Sequence, residues 1–101
     1  MKDNLTAEKD EIDVVNKLIS LKIKSIRIEK GYSQLEIANL MGFNSPTFFG
    51  HAEANRENKY FNMEHIYMIS KIFNVDMHKI IPNSQEISRT LLKNSNKILK
   101  K

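Results

Sequence analysis

The chain has 101 residues, no cysteine, and a formal charge of +4 from 16 Lys/Arg against 12 Asp/Glu. That length suits one domain, able to bury about two-thirds of its unfolded surface without a metal or disulfide staple. The missing cysteines exclude disulfides, thiolate zinc sites and cysteine nucleophiles together. No apolar run approaches the length of a bilayer span. Met1-Lys2-Asp3-Asn4 is followed by no apolar signal core, so a cytoplasmic location is expected.

The charge is uneven. Residues 1–30 carry seven Lys/Arg against six Asp/Glu, and residues 31–82 carry four against five. Residues 83–101 carry Arg89, Lys93, Lys97, Lys100 and Lys101 against Glu86 alone. A basic total points to an anionic partner such as nucleic acid, although a solvated lysine tail gives the same total.

In chain order, Ile12, Val15, Ile19, Ile23 and Ile26 recur at spacings of three and four, which predicts an amphipathic helix over 12–30. Val14, Leu18 and Leu21 add a second stripe. Gly31 ends the helix where a left-handed residue is wanted. Ser33-Gln34-Leu35-Glu36 reads as a capping box opening a short helix through Leu35, Ala38 and Leu40, stopped by Gly42. Ser45-Pro46 then reads as an N-cap followed by proline in the first helical position. That third helix is expected to run to Ala54, turn Phe49 and Ala52 inward, and end at Asn55.

A polar loop, 56–61, leads to a fourth helix capped by Asn62, with Met63, Ile66, Ile69 and Phe73 as its apolar face. Asn74 ends it, and Asp76 caps a short turn through Ile80-Ile81, closed by Pro82. Asn83-Ser84-Gln85-Glu86 is a further capping box, followed by a weaker rhythm of Ile87, Leu91, Leu92, Ile98 and Leu99 that Asn94-Ser95-Asn96 is expected to break. With no strand-like alternation and no internal repeat, the class is all-α.

Helix, short glycine-containing turn, helix is the layout that sets a second helix against the DNA major groove. Over residues 27–82 the chain resembles the lambda-repressor-like (Xre-type) helix-turn-helix family. The resemblance rests on Arg27, Gly31, Ser33-Gln34, Ala38, Gly42, Ser45-Pro46-Thr47, Glu53 and Arg56. It continues through Asn62-Met63-Glu64-His65-Ile66, Val75-Asp76 and Ile80-Ile81-Pro82. It implies a five-helix domain with, here, a lengthened first helix and a C-terminal helix or tail. The expected division is an N-terminal extension over 1–22, a DNA-binding domain over 23–82 and a basic helix or tail over 83–101.

The resemblance implies a phosphate contact for Gln34, at a helix start where free N–H groups and the dipole favour anions. It also implies a structural pair between Arg27 and Glu53. The third helix is then the reader, with Asn44, Ser45, Pro46, Thr47, Phe48, Gly50 and His51 expected to face outward. This surface departs from a base-reading one, which carries Arg, Gln or Asn for bidentate contacts to purine edges. Thr47 or Phe48 can touch a thymine methyl, and Asn44 or His51 can donate to a base or phosphate. The same surface can instead face solvent or a protein, and Phe48 can be partly buried packing. Arg56 and Lys59 stand either at the DNA backbone or in a solvated loop.

Enzyme signatures are missing. His51-Ala52-Glu53 matches half of a zinc-deaminase signature whose cysteine half cannot exist here. No nucleophile elbow or phosphate loop occurs, so neither catalysis nor a metal or other cofactor is expected. The expected function is a sequence-specific DNA-binding transcriptional regulator, a repressor, acting on double-stranded DNA. The alternative is a protein-interaction or antitoxin-like module on the same scaffold. Homodimers suit paired half-sites. The extra apolar residues at the two ends can pack on each other within one chain or across a two-fold axis.

Overall fold

The computed structural model describes the backbone of residues 4–99 and the side chains of residues 9–94. Within them the chain forms α1 (Asn4–Lys30), α2 (Gln34–Leu40), α3 (Thr47–Ala54), α4 (Met63–Phe73), a 3₁₀ turn (Met77–Lys79) and α5 (Ser84–Leu99). There is no strand among the described residues, and no helix there is long and apolar enough to cross a membrane.

Helix α1 begins eight residues before its apolar stripe does. Residues 4–11 have no inward rhythm, but they contain no Gly or Pro and hold Ala7, Glu8, Lys9 and Glu11, so propensity carries the helix backwards. At 27 residues it spans about 40 Å and accounts for the 42 Å long axis of the molecule. Ile19 and Ile23 join Ile37, Ala38, Met41, Phe49, Ala52, Phe61, Ile66, Ile69, Phe73 and Ile80 in one core.

Four successive helices stop in the same way. Gly31, Gly42, Asn55 and Asn74 have φ values of +80°, +92°, +54° and +57°. In each case the next residue's N–H returns to a carbonyl five residues back: Tyr32 to Arg27 at 3.0 Å, Phe43 to Ala38 at 2.9 Å, Arg56 to His51 at 2.8 Å, and Val75 to Ser70 at 3.0 Å. This is the Schellman ending, which satisfies the last carbonyls of a helix and usually adds an apolar contact from the residue after the left-handed one. Tyr32, Phe43 and Val75 make that contact by packing on the core. Arg56 is exposed.

Several sequence expectations are corrected. Helix α3 begins at Thr47 rather than Pro46. Pro46 stands at the N-cap with φ −82° and ψ 3°, and no side chain caps the helix there. The Pro46 carbonyl accepts the first helical bond, from the Gly50 N–H at 2.8 Å, so the proline enters as a turn and the helix follows it. Met63 is 60 % exposed rather than inward, because it lies a full turn ahead of the layer formed by Ile66, Ile69 and Phe73. On α2 the inward residues are Ile37 and Ala38, joined by Met41 at its C-cap, while Leu35 and Leu40 face out.

Helix α5 is not broken at Asn94-Ser95-Asn96 but continues to Leu99. Those residues have only modest helix propensity, yet none removes a hydrogen bond as proline would. The Asn83 and Glu86 side chains start the helix as a reciprocal cap, at 2.9 and 3.0 Å. Helix α5 lies along α1, with Lys22 Nζ 2.8 Å from Glu86 Oε2. The two end segments therefore pack on each other within one chain. Leu21 stays half-exposed, contrary to its place in the second stripe, and Ile12 and Leu92 are more exposed still. Ile98, Leu99 and the lysines at 97, 100 and 101 lie outside the residues whose side chains are described, and Met1–Asp3 outside the described backbone.

A left-handed asparagine tolerates its conformation better than other non-glycine residues, at a cost alanine would raise. Asn74→Gly is expected to keep or raise the melting temperature. Asn74→Ala is expected to lower stability by about 1–2 kcal/mol, read from thermal or urea unfolding followed by circular dichroism.

Candidate nucleic-acid interface

Helices α2 and α3 are joined by six residues, 41–46, and one carboxylate fixes them to α1. Glu53, on the inner side of α3, accepts from Arg27 Nε at 2.9 Å, from Arg27 Nη2 at 3.1 Å and from Gln34 Nε2 at 2.9 Å. Arg27 Nη1 also donates to the Tyr32 carbonyl at 2.8 Å, just past the end of α1. The Arg27 and Glu53 side chains are only 12 % and 3 % exposed. A pair so removed from water is a weak net stabiliser, but losing either partner strands the other charge, at about 3–5 kcal/mol. Among the described residues, no buried polar side-chain atom lacks a partner.

Gln34, at the start of α2, thus turns one of its two amide N–H groups to Glu53. Its Oε1 would stand 3.3 Å from a Cβ at position 50, so Gly50 lets α3 come close to α2. Phe48, for which both an outward position and partly buried packing were open, is half-buried. Its ring centroid lies 5.3 Å from Phe43, 4.9 Å from His65 and 6.3 Å from Phe61. Packing therefore occupies this side chain, and it adds hydrophobic area to the core.

What remains outward on α3 is small. Thr47, Gly50, His51 and Ala54 recur at three and four, and none of them is buried. Before the helix, Asn44 and Ser45 are exposed and Pro46 is half-buried. Ser45 Oγ donates to Thr47 Oγ1 at 3.2 Å and accepts weakly from the Thr47 N–H at 3.4 Å. After the helix come the exposed cations Arg56 and Lys59, with the exposed Glu57 between them. The structure brings Asn44, Ser45, Thr47 and His51 onto or beside one face, and Arg56 and Lys59 to the other end of α3.

Two features of this region escaped the sequence reading. Ser20, deep in α1, bonds to the end of α3. A serine on an apolar helix between Ile19 and Leu21 was the available signal. The other is His65, which completes the cap of α4. The Asn62 side chain accepts from the His65 N–H at 2.8 Å, and His65 Nδ1 accepts from the Asn62 N–H at 3.1 Å. The S/T/N-x-x-E/Q pattern normally announces such a cap. Histidine hides it, because only its neutral ring can accept.

No family model, curated protein or solved structure matches this chain.

Burial holds the His65 imidazole below its ordinary value of 6.5, against a smaller opposing pull from Glu64. Below that ordinary value an unfolded chain takes up a proton that the folded chain still refuses. His65 thus contributes stability above pH about 6.5, lost as pH falls towards the lower folded value. His65→Gln keeps an N3 acceptor and cannot titrate. Thermal melts of the natural chain should fall between pH 7.5 and 5.5, and those of His65→Gln should fall distinctly less. Parallel pH profiles would assign the loss to other groups.

Proposed function

We propose that this chain is a sequence-specific DNA-binding transcriptional regulator, a repressor, in which α2 and α3 act as a lambda-repressor-like (Xre-type) helix-turn-helix. The observation that carries the reading is the fixation of α2 and α3 by the buried Glu53 carboxylate. It leaves a narrow outward strip on α3 with two exposed cations beyond its end. An α-helix fits the major groove of B-DNA, and small residues at Gly50 and Ala54 favour a close approach of its backbone. Thr47 and His51, with Asn44 and Ser45, are the base-facing candidates. Arg56 and Lys59 are the phosphate-facing ones. Gln34, Pro46, Phe48 and Gly50 serve by shaping α2 and α3 rather than by touching bases.

With so few hydrogen-bonding groups on the strip, specificity draws on DNA shape as well as base edges. A regulator of this kind works in the cytoplasm, on the nucleoid. A second reading, a protein-interaction or antitoxin-like module, is favoured by Leu35, Leu40 and Met63, which are 47 %, 60 % and 60 % exposed.

Fluorescence anisotropy with the DNA flanking the chain's own gene separates the two. Binding should weaken with salt at a slope of about −0.9 per neutralised phosphate, and Arg56→Ala or Lys59→Ala should flatten it by about one. Thr47→Ala or His51→Ala should cost about 1–3 kcal/mol on a specific site and much less on random DNA. Binding without salt dependence, or none at all, would favour the interaction module.

The regulator is further proposed to be a homodimer, as paired half-sites require. Its natural surface is the apolar remainder of the α1 and α5 pair, at Ile12, Leu21 and Leu92. Sedimentation at micromolar concentration should give about twice the 11.8 kDa chain mass, and Leu92→Lys should lower it. A monomer at every concentration removes the dimer.

A further inference from the structure

The end of α3 differs from the other three Schellman endings in two ways that compensate each other. Tyr32, Phe43 and Val75 pin their helix ends to the core, but the equivalent residue after α3 is the exposed Arg56. In place of an apolar pin there is a hydrogen-bonded knot. Ser20 Oγ donates to the Ala52 carbonyl at 2.9 Å, and Asn55 Nδ2 donates to the same carbonyl at 3.0 Å and to Ser20 Oγ at 2.9 Å. The Asn55 N–H reaches that carbonyl too, at 3.2 Å, so three donors converge on one oxygen. Ser20 is 2 % exposed, and its hydroxyl joins the middle of α1 directly to the last turn of α3.

Beyond the knot the backbone folds sharply. The Lys59 N–H donates to the Arg56 carbonyl at 2.9 Å, and both residues between, Glu57 and Asn58, have positive φ, +55° and +54°. Two left-handed residues inside a four-residue hydrogen-bonded turn are the pattern of type I′, normally built from Asn and Gly. Glutamate there is strained, by about 1–2 kcal/mol. The turn brings the α-carbons of Arg56 and Lys59 within about 7 Å, so two exposed cations branch from neighbouring points of a short, sharply folded stalk that follows the Ser20–Asn55 knot.

We propose that Ser20 and Asn55 are positioning residues that hold Arg56 and Lys59 as a two-cation clamp on a phosphodiester backbone. The inference rests on the DNA-binding reading above. Side chains as long as Arg and Lys lose much rotamer freedom on binding, so a stalk with a fixed root lets both reach phosphate oxygens together. The knot frees the position after Asn55 from anchoring the helix, and that freedom is what admits a cation there.

The test uses the full chain and a short fluorescein-labelled DNA duplex of mixed sequence, titrated over a range of KCl concentrations. Asn55→Gly keeps the left-handed conformation and deletes both side-chain bonds. Ser20→Ala removes the link to α1. With helix content unchanged, Asn55→Gly should flatten the salt slope by about one, as expected for Arg56→Ala. Ser20→Ala should flatten it in part, and Asn55→Gly with Arg56→Ala should go no further than Arg56→Ala alone.

A purely structural knot would lower the melting temperature and shift all affinities in parallel, with the slope unchanged. That result, or a wild-type slope and affinity in Asn55→Gly, overturns the proposal. If Asn55→Gly fails to fold, Ser20→Ala decides on the same slope criterion. A natural chain that shows no salt-dependent binding overturns the DNA reading itself, before any variant is compared.

Discussion

A carboxylate that is 3 % exposed is costly to bury without partners that hold it in place, and Glu53 has three donor groups from two other helices. Arg27 reaches it from α1 and Gln34 from α2, while Glu53 itself belongs to α3. The arrangement of the first three helices is thereby an electrostatic necessity as much as a packing preference. A slide of α3 along α2 would leave a charge unpaired away from water. The close approach at Gly50 and the aromatic cluster around Phe48 both depend on that registration.

The side of the fold set by chain chemistry was open to reading from the residues. The left-handed endings at Gly31, Asn55 and Asn74 and the reciprocal caps at Ser33 and Asn83 follow from residue types with few alternatives, whereas the pairing of Arg27 with Glu53 was an expectation of the family resemblance alone. What escaped was whatever depends on a neighbour. Met63 and Leu40 have apolar side chains at helical spacing, yet both are 60 % exposed. The start of α1 lacks a stripe, and only its freedom from glycine and proline announces helix.

The candidate site was less legible for the same reason. A helical wheel places Phe48 one residue round from Phe49 but cannot show that Phe43, Phe61 and His65 close over it. Gln34 at a helix start suggests an anion, and only the fold reveals that one of its amide N–H groups also serves Glu53. Ser20 and Asn55 are 35 residues apart, a separation no local pattern can bridge. Arg56 and Lys59, by contrast, were visible as cations in a polar loop, and exposed cations they are.

The lengthened first helix has a consequence for how the chain is made. Lys22 meets its partner Glu86 only after another 64 residues have been added, which at about 5–20 residues per second takes roughly 3–13 s. Through that interval the α1 surface that α5 will occupy has no cover, whereas the core side of α1 gains its partners one after another, from Ile37 to Ile80. Vectorial synthesis thus yields the compact body first and the α1–α5 seam last. A chain shortened after Pro82 would still hold every residue of the core cluster, the last of them Ile80, with the α1 side of the seam uncovered.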